Sequence, residues 1–284
     1  MRTLHIDTGR EMQGGQWQAL YLVERLKDAT LLAREDSPLF VEAKARSIDV
    51  RPIASRWMET DPSLIHVHDS RAHTQAVTNL STLRRPLVVS RRVGFPPSQS
   101  IFSRTKYSLA NIYLAVSKYV AMQLSEAGVP AAKIRVVYDG IPIPPQASTR
   151  KPGSVLALAA KYREIPGIPV RLAKNLFEDL SSASVFLYIS EMEGLGSAAI
   201  AASAAGVPVV ASAVGGLAEV IEHERTGLLV SDGDYSAAVR RLLDNPEWAA
   251  ELGAAAREKA IREFSADKMV ENTMTAYNEI LQCS

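Results

Sequence analysis

Short apolar runs recur along this chain at intervals that leave room for one helix between them, and that rhythm restricts the fold more than any single motif. "TLHID" at Thr3 to Asp7, "ATLLA" from Ala29, "LIHVH" at Leu64 to His68, "PLVVS" at Pro86 to Ser90, "IYLAVS" at Ile112 to Ser117 and "IRVVY" at Ile134 to Tyr138 make six strand candidates before residue 140. Alternation of this kind predicts α/β architecture with parallel sheets. Four prolines then fall between Ile141 and Gly153, where neither a helix nor a central strand is expected. Beyond them the rhythm restarts with "SVLALAA" from Ser154, "SVFLYIS" from Ser184, "VPVVAS" from Val207 and "GLLV" from Gly227, four strands of a second sheet. The reading is therefore a domain over 1–145, a linker, a second domain over 153–266, and a terminal helix over 267–284 that is free to pack back on the first domain. That helix is expected to bury Val270, Met274, Tyr277 and Leu281.

A chain of 284 residues, 47% hydrophobic, supplies core for two such domains. Its 32 basic and 31 acidic residues nearly cancel, so no global field recruits nucleic acid, and an anion has to be held locally. The single cysteine, Cys283, forms no internal disulfide, which agrees with a reducing compartment. "MRTLHIDTGREMQGG" is too short an apolar stretch for a signal peptide, and no apolar run has the length of a membrane span. A cytoplasmic protein is the expectation, with peripheral contact at the inner face of a membrane left open. The oligomeric state is not readable.

Ligands of open parallel sheets bind beyond the C-terminal ends of the strands. Two loops at such positions carry glycines. Gly14 and Gly15 precede the first helix, where missing side chains admit a phosphate or sugar to backbone N–H groups. The plainer reading is a turn whose glycines relieve φ strain. In the second loop, "EMEGLG" leads into an alanine-rich helix whose N-terminus suits a diphosphate. Glu193 repels phosphate and is better placed to accept hydrogen bonds from sugar hydroxyls, unless it only complements the helix dipole. No Gly-x-Gly-x-x-Gly follows the first strand, and no Tyr-x-x-x-Lys stands in context, which argues against a nicotinamide enzyme.

The run from Glu193 to Val230, "EGLG" through "AAGVPVVASAVGGLAEVIEHERTGLLV", resembles the C-terminal signature of the retaining family 4 glycosyltransferases. "LIHVHDSRAH", "YLAVSKYVAMQLSEAGVPAAKIRVVYDGI" and "FSADKMVENTMTAY" are similar to the same family, so the likeness covers most of the chain. It implies the GT-B fold of two Rossmann-like domains, here with the C-terminal one abbreviated. It further implies a nucleotide-sugar donor lying between them, a sugar or lipid-linked acceptor, and no cofactor or metal. Glu193 matches the first acid of the family's Glu-x7-Glu motif and would contact the donor sugar. Gly194, Leu195 and Gly196 would present amides to sugar and phosphate, Gly14 and Gly15 would face the diphosphate, and His68 matches a histidine near the reacting sugar. His66 is expected to pack within its strand.

The sequence departs from the family in three places. Ala201 stands where the second glutamate, a ribose ligand, is usual, which removes about 1.5 to 3 kcal/mol of charge-assisted hydrogen bonding unless Ser197 or Ser203 compensates. The segment after "SVLALAA" is short, leaving Lys161 and Arg163 as its candidate diphosphate ligands, and Pro166 replaces a lysine usual before glycine. The Asp232-Gly-Asp234 spacing is that of a metal-binding motif but reads as a helix cap. Arg91 and Arg92 read as solvated surface charge or, less favoured, as a lining for the acceptor. The leading expectation is a glycosyltransferase of cell-envelope biogenesis. A degenerate family member without activity and an internally shortened form of a longer enzyme are the alternatives.

Overall fold

A computed structural model describes residues 1–54, 57–79, 82–231 and 233–282. The chain divides into two compact units, one made of residues 1–139 together with the segment from Ala266 onward, the other of residues 140–265. Elements of the first unit run β1 (Thr3–Ile6), α1 (Gly14–Glu24), β2 (Ala29–Ala33), α2 (Pro38–Ala45), β3 (Val50–Pro52), β4 (Leu64–Val67), α3 (Ser70–Thr78), β5 (Leu87–Arg91), α4 (Ile101–Ser108), β6 (Ile112–Ala115), α5 (Lys118–Glu126) and β7 (Ile134–Val136). Those of the second run β8 (Val155–Ala157), β9 (Val170–Leu172), α6 (Leu176–Leu180), β10 (Val185–Tyr188), α7 (Ser197–Ala204), β11 (Val209–Ser212), α8 (Leu217–Val220), β12 (Gly227–Val230), α9 (Tyr235–Leu243) and α10 (Pro246–Glu263). The chain then returns to the first unit as α11 (Ala266–Gln282).

The first sheet has seven parallel strands in the order β3-β2-β1-β4-β5-β6-β7. Strand order reverses between β1 and β4, which opens a crevice beyond their C-terminal ends. Its inner strands are buried along their whole length, as helices on both faces require. Six strands were expected, and β3 is the addition. Val-Arg-Pro carries no apolar run, and it survives as a strand because the sheet edge tolerates Pro52, which has no N–H to donate. In α11 the buried face is Ala266, Met269, Thr273, Ala276 and Tyr277 rather than the expected stripe, of which only Tyr277 is buried. The helix is rotated to bring the Tyr277 hydroxyl onto His66, so small side chains meet the sheet.

The second sheet has five parallel strands in the order β12-β11-β10-β8-β9, with its reversal between β8 and β10. The expected four strands gain β9, a three-residue edge strand with Arg171 and Leu172 exposed, too short and too polar to read as one. Val155, Leu187, Val210 and Leu228 meet Val239 and Leu242 of α9 in the core. Alanine-rich α7 lies close to α10: a Cβ on Gly253 would stand 2.1 Å from the Gly206 carbonyl oxygen. The proline-rich stretch is not a free linker, since Ser148 and Thr149 donate their N–H groups to the Ala205 and Ser181 carbonyls and Lys151 to that of Ser182.

Candidate active site

Both reversals of strand order carry sequence-selected residues. In the first unit, the loop after β1 is tied down by Asp7, whose carboxylate accepts from the Gly9 N–H at 2.8 Å and the Gln16 amide at 3.0 Å. Thr8 donates through its N–H and hydroxyl to Asp69, which also caps α3. Gly14 and Gly15 are the first two residues of α1, and neither has a positive φ, so strain relief is not what they supply. A Cβ on Gly15 would meet nothing closer than Arg92 Cδ at 3.9 Å, an ordinary contact. At Gly15 a glycine costs helix stability without a steric need inside the protein, which fits close approach by a ligand.

His68 follows β4 and lies 5% exposed among buried neighbours. An arginine can only donate, so the contact of Arg92 Nη1 with His68 Nδ1 at 3.3 Å makes that nitrogen an acceptor. Burial, then the neighbouring His66, Arg92 and His5, hold the His68 pKa well below its usual value, so the ring is neutral and its proton sits on Nε2. That nitrogen donates to His5 Nδ1 at 3.0 Å, and His5 Nε2 in turn donates to Thr3 Oγ1 at 3.0 Å. His66 joins Tyr277 and Ser90 at 2.5 and 2.8 Å. The three imidazoles come within 4.8 Å of one another, but their nitrogens are engaged in these hydrogen bonds. In this arrangement both ring nitrogens of His68 are engaged, Nδ1 by Arg92 and Nε2 by His5. Arg92 also pairs with buried Asp139 at 2.9 Å, and Arg91 is buried with its guanidinium on the Phe95 carbonyl, so neither is the solvated charge expected.

In the second unit, β10 ends at Tyr188 and the chain turns through Glu193 into α7. The Tyr188 hydroxyl donates to Glu193 Oε2 at 2.7 Å, and Lys161, beyond β8, places Nζ 3.2 Å from the same oxygen. Lys161 also donates to Ser190 Oγ at 2.9 Å. Among the described residues Glu193 Oε1 accepts no hydrogen bond and stays open for a hydroxyl. Burial first, and then the adjacent Glu193 charge, push the Tyr188 pKa up, so the phenol keeps its proton and acts as a donor.

Glycines fix this loop. Gly196 caps α7 with φ of +102°, where a Cβ would lie 2.7 Å from Leu217 Cδ2. Gly216 donates its N–H to the Glu193 carbonyl at 3.0 Å, and a Cβ on Gly215 or Gly216 would fall 2.1 or 2.0 Å from the carbonyl oxygens of Glu193 and Gly194. Leu195 turns its side chain into the core.

Residues 19–143 match the family described as Glycosyltransferase Family 4, and residues 168–259 that described as Glycosyl transferases group 1. The alpha-maltose-1-phosphate synthase of Mycolicibacterium smegmatis is 31% identical over 95% of this chain and 69% of its own length. The chain belongs to the family 4 glycosyltransferases. This family 4 chain is also 34% identical to the N-acetyl-alpha-D-glucosaminyl L-malate synthase of Bacillus anthracis, over 38% of the chain and 29% of that relative. With 37% identity to the D-inositol 3-phosphate glycosyltransferase of Gordonia bronchialis, the match covers 41% and 25%. Among solved structures, Anabaena HepE in complex with UDP-glucose has a TM-score of 0.81 at 16% identity, over 98% of this chain and 100% of that one. Sucrose-phosphate synthase from Thermosynechococcus elongatus has 0.74 at 17%, over the whole of both. The fold is GT-B, two parallel-sheet α/β domains.

Of the residues selected in this glycosyltransferase's sequence, Lys161 and Glu193 are brought together, with Gly194, Leu195 and Gly196 in the same turn. Arg163 is separate: it pairs with exposed Glu191 and lines a cleft of about 700 Å³ with Ile165, Ser190 and Tyr235. Ala201 is 2% exposed and Ser203 is buried, so neither faces open solvent. Asp234 caps α9 by accepting from the Ala237 N–H, while Asp232 and Cys283 lie outside the described residues. The sequence reading assigned nothing to Tyr188, Asp139, His5 or the Gly215–Gly216 pair. Only the paired glycines after a strand carried a signal, as part of the family motif.

Proposed function

We propose that the chain transfers a sugar, with retention, from a nucleotide-sugar donor to a cell-envelope polysaccharide or lipid-linked acceptor. The observation that supports this reading is the Glu193, Lys161 and Tyr188 cluster at the start of α7, at a reversal of strand order. Glu193 Oε1 would accept from a donor hydroxyl, holding the sugar. Lys161 and the α7 N-terminal amides would take the negative charge that grows on the leaving diphosphate, with no metal or cofactor required. UDP and UDP-glucose in the HepE structures favour a nucleotide-bound donor. A small anionic acceptor is a second reading, because the relatives' names carry maltose 1-phosphate, inositol phosphate and malate.

Glu193→Ala is expected to lower sugar transfer about 10- to 100-fold, the worth of a hydrogen bond to a charged group, with nucleoside diphosphate affinity changed much less. Radiolabelled transfer assays and isothermal titration read the two quantities. Equal loss of both would reassign Glu193 to the nucleotide. Absence of binding to any nucleoside diphosphate at millimolar concentration would favour the degenerate alternative that Ala201 raises.

A further inference from the structure

The near-neutral total charge hides one uneven region. Between Asp69 and Glu126 the sequence has no aspartate or glutamate, yet it carries eight arginines and lysines. Two of these cations are buried on neutral partners: Arg91 donates to the Phe95 carbonyl, and Lys106 to the Ser70 carbonyl, Ser70 Oγ and Thr74 Oγ1. Arg104 and Arg71 are exposed, and the Lys106 bonds bring α4 against the start of α3, beside Arg71. Asp69, the acid that opens the span, is held inward by Thr8 and the α3 amides. Glu126 shares a cavity wall with Arg104 and Lys133.

Arg85 and Arg92 pair with Asp61 and Asp139 outside this span, and within it lies the largest run of exposed apolar side chains among the described residues of the first unit. Ile101 is 86% exposed and Phe102 58%, on consecutive positions of α4, and Phe95 in the preceding loop is 53% exposed. Val93 and Leu109 extend the patch at either end. We infer that the outer face of α4 and the loop before it form a docking surface for anionic lipid bilayers. Shallow insertion places Ile101, Phe102 and Phe95 among the acyl chains while Arg104 and Arg71 stay at the headgroup phosphates. A nucleic acid would match the charge but has no apolar layer to receive an isoleucine. A second copy of the chain would bring the exposed Arg71 and Arg104 of both copies together. No described helix is long and apolar enough to cross a membrane, so this attachment is peripheral. The inference stands apart from the transferase reading, because it uses none of the residues around Glu193.

The test is vesicle co-sedimentation of the full chain with phosphatidylcholine alone and with phosphatidylcholine mixed with phosphatidylglycerol, alongside sedimentation velocity without lipid. The protein is expected to pellet with the anionic vesicles only, and to be released by about 1 M sodium chloride, where the screening length falls to about 3 Å. Ile101→Ser combined with Phe102→Ser is expected to reduce anionic-vesicle binding about tenfold or more at unchanged melting temperature, and Arg104→Glu to reduce it as well. Failure to bind anionic vesicles, or equal binding by the double variant, overturns the inference. So does a dimer that the double variant dissociates in the absence of lipid binding.

Discussion

Two glycines illustrate how much a single residue's surroundings decide. Gly15 and Gly216 both have φ values open to alanine, but their spaces differ. Gly15→Ala places a methyl at ordinary contact with Arg92 and is expected to leave stability unchanged or raise it by a few tenths of a kcal/mol, while weakening nucleoside diphosphate affinity. Gly216→Ala drives a methyl to 2.0 Å from the Gly194 carbonyl oxygen, and is expected to cost about 1 to 3 kcal/mol and to shift the Glu193 turn. Urea unfolding and titration with a nucleoside diphosphate, run on both variants, measure the contrast. Loss of stability in Gly15→Ala would return that position to a packing role. The residues of the Glu193 turn were legible because their glycines and acid are contiguous in sequence. Tyr188 and Lys161 reach the same oxygen from the ends of different strands, and a meeting of that kind leaves no trace in residue order.

Elements were legible in proportion to their apolar content. Every strand with four or more buried positions stood out in the sequence, whereas β3 and β9, three residues each and at sheet edges, did not. The interior of α7 depends on support that its alanines cannot provide. Arg257 of α10 donates to the Ala204 carbonyl at its C-terminal end and, at 2.6 Å, to that of Pro144, and Arg150 reaches the Gly206 carbonyl at 3.2 Å. These cations sit where the helix dipole is negative. Arg257→Ala is expected to destabilise the protein by about 1 to 3 kcal/mol, and Arg257→Lys, which keeps the charge but not the fork, by less. Thermal and urea unfolding report both. An Arg257→Ala variant as stable as the parent would mean that α7 is held by its packing and by Arg150 without Arg257.

At the scale of the molecule, the buried histidines make stability depend on pH. His5 has a pKa lowered to about 3, and His66 and His68 lie well below the usual value, all chiefly by desolvation. Folded-state values depressed in this way add stability above the unfolded pKa near 6.5 and remove it as pH falls. Between pH 7.5 and 5.5 each is expected to cost about 1.4 kcal/mol. Asp7 and Asp139, whose pKa values burial raises, act in the opposite sense and offset part of this. A net loss of stability on acidification to pH 5.5, followed by urea unfolding, is the expected result, and a flat profile would show these imidazoles to be protonated in the fold. His68 was visible from its place at a strand end, but the trio was not, because His5 and His66 are partners only across the sheet. The route of the chain has a consequence for its synthesis. The Tyr277 hydroxyl, which satisfies His66, arrives on α11 only after all of the second unit has left the ribosome. The second unit can thus close while the first waits with the Nδ1 of His66 unpaired in its sheet, and completion of the older half is deferred until α11 returns to it.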